Sequence, residues 1–327
     1  MRSRSIIAGV STAANLAVAA QSTVRNLYQG NGSTTWLENL RLRSNGNVLT
    51  TVIGPPANLL SFDPIQEDPE PVLLATFPSI LGLSGITEVS HDVFYITGAN
   101  TTGENISDPP KNATKVWKVD FNNVNGSIPT IELIAEPVLP LVTDFNGLTT
   151  FNESIILASA TFEDTVVAMD INTGDYWTAF ADAQMSSING IKVGQDGYLY
   201  WTASSGLVRA PLYDNLTLGT SEALYSGSYD DFAVSYDGFA LAQNGTRYAY
   251  VSSNTDAIQQ LVFDDQTGNV SSASYVAETT NTTTWGKATG CDFGRTAWQK
   301  NKVYCVTGGS LTTGSTLGGQ LFEITLY

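Results

Sequence analysis

The chain has 327 residues, 42% of them hydrophobic and 14% charged, with 31 acidic side chains against 15 basic ones. That composition suits a folded protein rich in β-structure and excludes a disordered one. A net charge of −16 argues against a nucleic-acid partner or an anionic membrane surface, since phosphate binding needs a basic face; no apolar run is long enough to read as a membrane span.

Residues 1–20 hold Arg2 and Arg4, an apolar stretch, and the small-x-small pattern Ala17-Val18-Ala19. They read as a secretory signal peptide or, alternatively, as an amphipathic first helix. Ten Asn-x-Ser/Thr sequons, from Asn31 to Asn281, agree with passage through the secretory pathway and N-glycosylation. The first predicted strand lies near TVRNLYQ. ENLRLRSNGNVL, from Glu38, reads as a hairpin: Leu40 and Leu42 alternate with Arg41 and Arg43, and Asn45-Gly46 makes the turn.

The same template returns along the chain: a polar head, an apolar strand, a turn eight residues after the head, and a second apolar strand. SGITEVSHDVFYIT starts at Ser84 and is followed by a long loop, Gly98 to Lys115, with Pro109-Pro110. NGLTTFNESIILAS starts at Asn146, NGIKVGQDGYLYWT at Asn189 and DDFAVSYDGFALAQ at Asp230. A looser copy, TGCDFGRTAWQKNKVYCVT, starts at Thr289. Outer strands are expected at 116–121, 165–171, 206–212 and 259–265. The last segment, QLFEITLY, is expected to pair with the N-terminal strand.

The heads recur at intervals between 41 (Asn189 to Asp230) and 62 (Ser84 to Asn146) residues. Several short strands per repeat at such a period mean blades of a β-propeller. The expectation is an all-β, six-bladed propeller forming one domain over residues 21–327, closed by its terminal strands. A seven-bladed ring is the rival, but no seventh start is found. Cys291 and Cys305 flank the polar loop TAWQKNK. If that loop closes a hairpin, a cross-strand disulfide fits, together with an oxidising compartment; two buried free thiols are the alternative. No CxxC pair exists, which excludes a cysteine zinc site.

In a propeller the first strand of each blade lines the channel. Glu38, Ser84, Asn146, Asn189, Asp230 and Thr289 are therefore expected to ring one mouth. Two carboxylates and two amides suit calcium, magnesium or manganese. The bland alternative is that these groups hydrogen-bond the ends of neighbouring strands.

ENLRLRSNG, FNGL, INGIKVGQDG and DDFAVSYDG resemble the senescence-marker/gluconolactonase-like six-bladed propellers, over nearly the whole chain after residue 25. The resemblance implies metal ligands at Glu38, Asn189 and Asp230 and a substrate-side Asn146. It implies proton transfer at Asp230, with the adjacent Asp231 open as a one-residue slip. TTWLENLRLRSNGNVL, LLSFDP and FPSILGLSGITEVSHDVFYITG resemble a narrower, secreted fungal branch. That branch includes hetero-Diels–Alderases of tropolone sesquiterpenoid biosynthesis, which join a quinone methide to humulene.

Several chemistries fall away. The sole histidine, His91, sits in a predicted turn, which argues against a Ser-His-Asp triad, and a single histidine excludes an H-E-x-x-H zinc site. No P-loop or Rossmann fingerprint is present. Metal-assisted lactone hydrolysis and pericyclic catalysis remain; the latter needs no cofactor, only an apolar cavity and well-placed donors. The expected partners are small, apolar substrates. Trp36, Phe145, Tyr229, Phe232 and Trp285 are candidate walls, and Lys287 and Arg295 candidate cationic donors. Each aromatic also suits packing between blades, and each cation ordinary solvation. A non-catalytic binding propeller is the third reading.

Overall fold

The computed structural model describes residues 22–32, 35–122, 128–138, 140, 142–204, 206–225, 236–242, 248–253, 257–278, 286–309 and 317–327. Among them the structure is all-β, with two single-turn 3-10 segments and no α-helix. β1 spans Ser22–Asn31. One eight-stranded sheet comprises β2 (Trp36–Leu42), β3 (Val48–Ile53), β4 (Asn58–Phe62), β5 (Val72–Thr76), β6 (Gly82–Ser90), β7 (Val93–Ala99), β8 (Lys115–Asp120) and β9 (Thr130–Ala135). Its halves, β2–β5 and β6–β9, join through the single register pair Ile53–Gly82.

The next sheet holds β10 (Phe145–Thr150), β11 (Ile155–Ala160), β12 (Thr165–Asp170) and β13 (Tyr176–Ala181). A five-stranded sheet follows, with β14 (Ile191–Val193), β15 (Tyr198–Ala203), β16 (Gly206–Tyr213), β17 (Thr217–Leu218) and β18 (Glu222–Tyr225). Then come β19 (Tyr236–Leu241), β20 (Tyr248–Ser253), β21 (Ala257–Phe263) and β22 (Val270–Glu278). The last sheet has β23 (Ala288–Phe293), β24 (Lys302–Thr307) and β25 (Leu317–Leu326), and β1 is its fourth strand.

The arrangement is propeller-like. β2, β6, β10, β14, β19 and β23 touch one another in that order, and β23 returns to β2. β1 pairs antiparallel with β25, as the sequence led us to expect, so the terminal strands close the structure and remove two sheet edges. The expected outer strands are β8, β12, β16 and β21, and the insert is the loop between β7 and β8. Cys291 and Cys305 face each other across β23 and β24 and form a disulfide.

The core lies between neighbouring sheets. Leu157 and Val166 of one sheet pack with Leu199, Trp201 and Val208 of the next. Leu27, Leu40, Tyr304 and Leu321 make another such layer. Strands covered on both faces read as unbroken apolar runs rather than alternating ones; all seven residues of β7 are buried. Each fully buried Leu or Phe contributes about 1.5–3 kcal/mol.

The fifth hairpin differs from expectation. Tyr236, Asp237 and Gly238, read as its turn, lie within β19. The hairpin therefore starts seven residues later than the Asp230 register.

Candidate functional site

Five of the six inner strands carry, near their start, a polar residue followed by glycine: Ser84-Gly85, Asn146-Gly147, Asn189-Gly190, Asp237-Gly238 and Thr289-Gly290. The glycines are sterically required. A Cβ on Gly147 would stand 2.7 Å from the Asn189 carbonyl oxygen, and one on Gly238 2.7 Å from that of Thr289. Glu38-Asn39 is the exception to the pattern. The pairing of inner and second strands breaks at five heads, between Leu37 and Leu40, Leu83 and Ile86, Phe145 and Leu148, Tyr236 and Phe239, and Ala288 and Gly290. Such bulges re-aim a side chain that regular pleating would direct elsewhere.

Hydroxyls then tie each head to its neighbour. Thr51 Oγ1 donates to the Ser84 carbonyl at 2.7 Å, Ser159 Oγ to that of Asn189 at 2.5 Å, and Thr202 Oγ1 to that of Asp237 at 2.8 Å. Ser84 Oγ donates to the Phe145 carbonyl at 2.5 Å. Thr289 Oγ1 donates to the carbonyls of Leu37 at 2.7 Å and Val306 at 3.2 Å, which joins the last sheet to the first. The Thr289 hydroxyl is thus spent on main chain.

The heads frame a cavity of about 240 Å³. Glu38, Ser84, Asn146, Asn189, Asp237 and Lys287 supply its polar lining, with Asp144, Thr101 and Thr161 beside them. Trp36, Ile53, Ile106, Phe145 and Phe162 supply an apolar side. Of the residues expected here, Asp230, Asp231, Tyr229, Phe232 and Trp285 lie outside the described residues. Asp237 is the described acid at the fifth head.

Arg295 requires a correction. It follows β23, at the far end from Thr289, and so emerges at the opposite mouth of the channel. There it binds Glu88 Oε2 at 2.6 Å and the Leu42 carbonyl at 3.1 Å. Sequence reasoning also missed Asp144, Asp237, Thr101, Thr161 and Phe162. The polar-Gly-apolar signature of each head would have found Asp237; Asp144 precedes β10 and carries no repeat signal.

Burial pushes two of these acids, Glu38 and Asp144, toward the protonated form. Burial raises the Glu38 carboxyl well above its ordinary range, and the charges of Asp237 and Asp144 push the same way. Only the Trp36 indole N–H, which Glu38 Oε2 accepts, works against them. Burial lifts Asp144 to about 7, opposed by hydrogen bonds from the Thr101 hydroxyl and the Phe145 amide. Asn146 Oδ1, Asn189 Oδ1 and Asp144 Oδ1 are buried, and none has a hydrogen-bond partner among the described residues.

Buried acceptors without donors are costly and call for a ligand hydroxyl, a proton or a cation. Among the described residues no three His, Cys, Asp or Glu side chains form a metal cluster. A hard divalent cation would instead have two carboxylates, Glu38 and Asp237, with the amide oxygens of Asn189 and Asn146. That all-oxygen donor set fits calcium, magnesium or manganese.

No protein-family model matches the chain. A curated relative from Phoma sp., named "Putative hetero-Diels-Alderase", is 26% identical over 86% of each chain. Among solved structures, a luciferin-regenerating enzyme superposes with a TM-score of 0.66 at 12% identity, over 93% of this chain and 95% of that one. A gluconolactonase from Xanthomonas campestris gives 0.63 at 14%, over 95% and 93%. Regucalcin from Agrobacterium tumefaciens, a calcium-binding protein, gives 0.62 at 16%, over 95% and 97%. At these identities the structural likeness speaks to the fold, and the neighbours are propellers.

Proposed function

We propose that the chain is a small-molecule enzyme built as one six-bladed propeller over residues 21–327, and that its reaction is a hetero-Diels–Alder cycloaddition in the cavity at Glu38. The blade count takes β2–β5 and β6–β9 as separate blades, because a single register pair joins them. The observation that carries the activity is the match to the Phoma sp. protein along 86% of both chains. The site's chemistry supports it.

A cycloaddition forms one carbon–carbon and one carbon–oxygen bond in a single step, with no net transfer of protons or electrons. The protein must align two reactants, exclude water, and stabilise the oxygen that gains charge. Alignment alone is worth up to roughly 7–11 kcal/mol in favourable cases. Trp36, Phe145 and Phe162 offer flat apolar surface. Glu38, kept neutral by burial, has an O–H to donate to the heterodiene oxygen. The substrate pair suggested by the sequence is a tropolone-type quinone methide with a humulene-type terpene.

The orphaned amide oxygens favour one second reading, lactone hydrolysis with a divalent cation on Glu38, Asn189, Asp237 and Asn146. Bound there, a cation would polarise the lactone carbonyl. Asp144, with its carboxyl at about 7, is then placed to hold or release the proton of an attacking water.

One experiment separates the readings. Purified protein is given the quinone methide and terpene pair, or a set of lactones, with and without a chelator. Faster, stereoselective coupling that survives chelation supports the cycloaddition. Chelator-sensitive lactone opening supports the hydrolase. No turnover of either, with retained ligand binding, leaves a binding propeller. We also propose passage through the secretory pathway with N-glycosylation; Asn112, Asn152, Asn215 and Asn269 are exposed.

A further inference from the structure

The inner strands run on from the first cavity to the other end of the channel, where they frame a second one of about 410 Å³. Arg41 reaches it from β2, Glu88 from β6, Thr149 from β10, Lys192 from β14 and Asp292 from β23. Arg295 joins from the segment beyond β23. In a chain with a net charge of −16, this mouth gathers three cations against two carboxylates.

Four of the five charges are paired. Arg41 Nη1 meets Asp292 Oδ2 at 3.1 Å, and Arg295 Nη1 meets Glu88 Oε2 at 2.6 Å. Lys192 donates to no acceptor among the described residues. Burial and the neighbouring Arg41 charge press its pKa down to about 7, with Asp292 opposing them. A half-buried ammonium facing a cavity beside another cation, with no acceptor among the described residues, is an arrangement that a bound anion would relieve.

The rest of the lining says what kind of anion. Thr149 Oγ1 accepts the Val193 N–H at 3.1 Å, which leaves its own hydroxyl hydrogen for a ligand. Leu42, Val193, Leu241 and Phe293 form an apolar wall around the charges. An inorganic oxyanion would satisfy Lys192 and leave that wall wet. A carboxylate with an apolar body satisfies both.

We propose that this second cavity binds a small organic acid, its carboxylate on Lys192 and the Thr149 hydroxyl and its apolar body against Leu42, Val193, Leu241 and Phe293. Binding requires the charged ammonium, so it takes up a proton as pH rises toward 8. The other charged groups that face the ligand, Arg41, Asp292, Glu88 and Arg295, are held in their ion pairs. The site is independent of the reaction at Glu38.

The test is calorimetric titration of the full chain with benzoate, hexanoate and inorganic phosphate at pH 6 and pH 8. One saturable carboxylate site is expected, with affinity falling about tenfold between the two pH values as the ammonium is lost. Lys192→Met abolishes it. Lys192→Arg keeps binding and loses the pH dependence, and it decides the matter if Lys192→Met fails to fold. The proposal is overturned if no carboxylate binds, if binding survives Lys192→Met, if the wild-type affinity ignores pH, or if phosphate alone binds.

Discussion

The carboxyl groups of Glu38 and Asp237 face one cavity from β2 and β19, and the charge of Asp237 adds to burial in raising the Glu38 pKa. Acids placed together in a dry site cannot both ionise freely. The two residues are 199 apart in sequence (237 less 38), and ring closure is what joins them.

The protonation of this cluster makes stability depend on pH with a defined sign. Asp144 moves from an ordinary 3.8 to about 7 on folding. The folded chain therefore holds a proton that the unfolded chain releases. Its contribution is complete below about pH 4 and is lost as pH rises to about 7, with a slope of up to about 1.4 kcal/mol per pH unit. Asp144→Asn is expected to flatten that slope in urea denaturation across the same window. An unchanged slope would mean that Asp144 is ordinary.

Substitution of Glu38 separates its possible roles. As a neutral hydrogen-bond donor it is replaced fairly well by Gln, whereas Ala costs about 10²–10³ in turnover. As a metal ligand it is not replaced by Gln, because the charge is lost. Steady-state rates of Glu38→Gln and Glu38→Ala, with and without added divalent cation, read the difference.

Gly147 has no room for a side chain. The Asn189 carbonyl oxygen is main chain and cannot swing aside. Gly147→Ala is expected to cost about 1–3 kcal/mol by overpacking, measured by denaturant midpoint. Stability within a few tenths of wild type would show that the strands can slide apart.

Ser159 links stability to the site. Its Oγ accepts the Gly147 N–H at 2.7 Å and donates to the Asn189 carbonyl. Ser159→Ala leaves a buried N–H unsatisfied, at a cost of about 1–3 kcal/mol, and frees Asn189 to shift. A combined fall in unfolding midpoint and turnover is expected. Thr202→Val should behave alike, since Thr202 Oγ1 serves Gly190 N at 2.8 Å and the Asp237 carbonyl.

The disulfide between Cys291 and Cys305 closes a separation of 14 residues. A loop of that length corresponds to about 3 kcal/mol of denatured-state entropy. Thermal unfolding with and without reductant, set beside a double Cys→Ala variant, measures it. Equal midpoints would show that the pairing of β23 with β24 needs no covalent tie.

Much of this architecture was legible along the chain because it is local. A hairpin declares itself through its turn: Asn45-Gly46 and Asp196-Gly197 both take positive φ at the glycine, as such turns demand. The pairing of β1 with β25 followed from closing a ring of strands, and that of Cys291 with Cys305 from reading TAWQKNK as the loop of a hairpin. The fifth repeat misled for the same local reason, since Tyr236-Asp237-Gly238, which lies within β19, imitates a turn.

What no local pattern contains is which charges meet. Arg41 and Arg43 sit two apart on one hairpin. Arg41 crosses to Asp292, whereas Arg43 binds Asp92 at 3.0 Å and stacks on Phe121. Asp144 enters the first cavity from outside the repeat, and Lys192 faces the second without a partner among the described residues. A strand's own sequence sets its pleat and its turn, because those forces act between near neighbours. The pairing and desolvation of ionisable groups depend on every strand around the channel, so the closed ring alone decided which acids keep their protons and which lysine is left to a ligand.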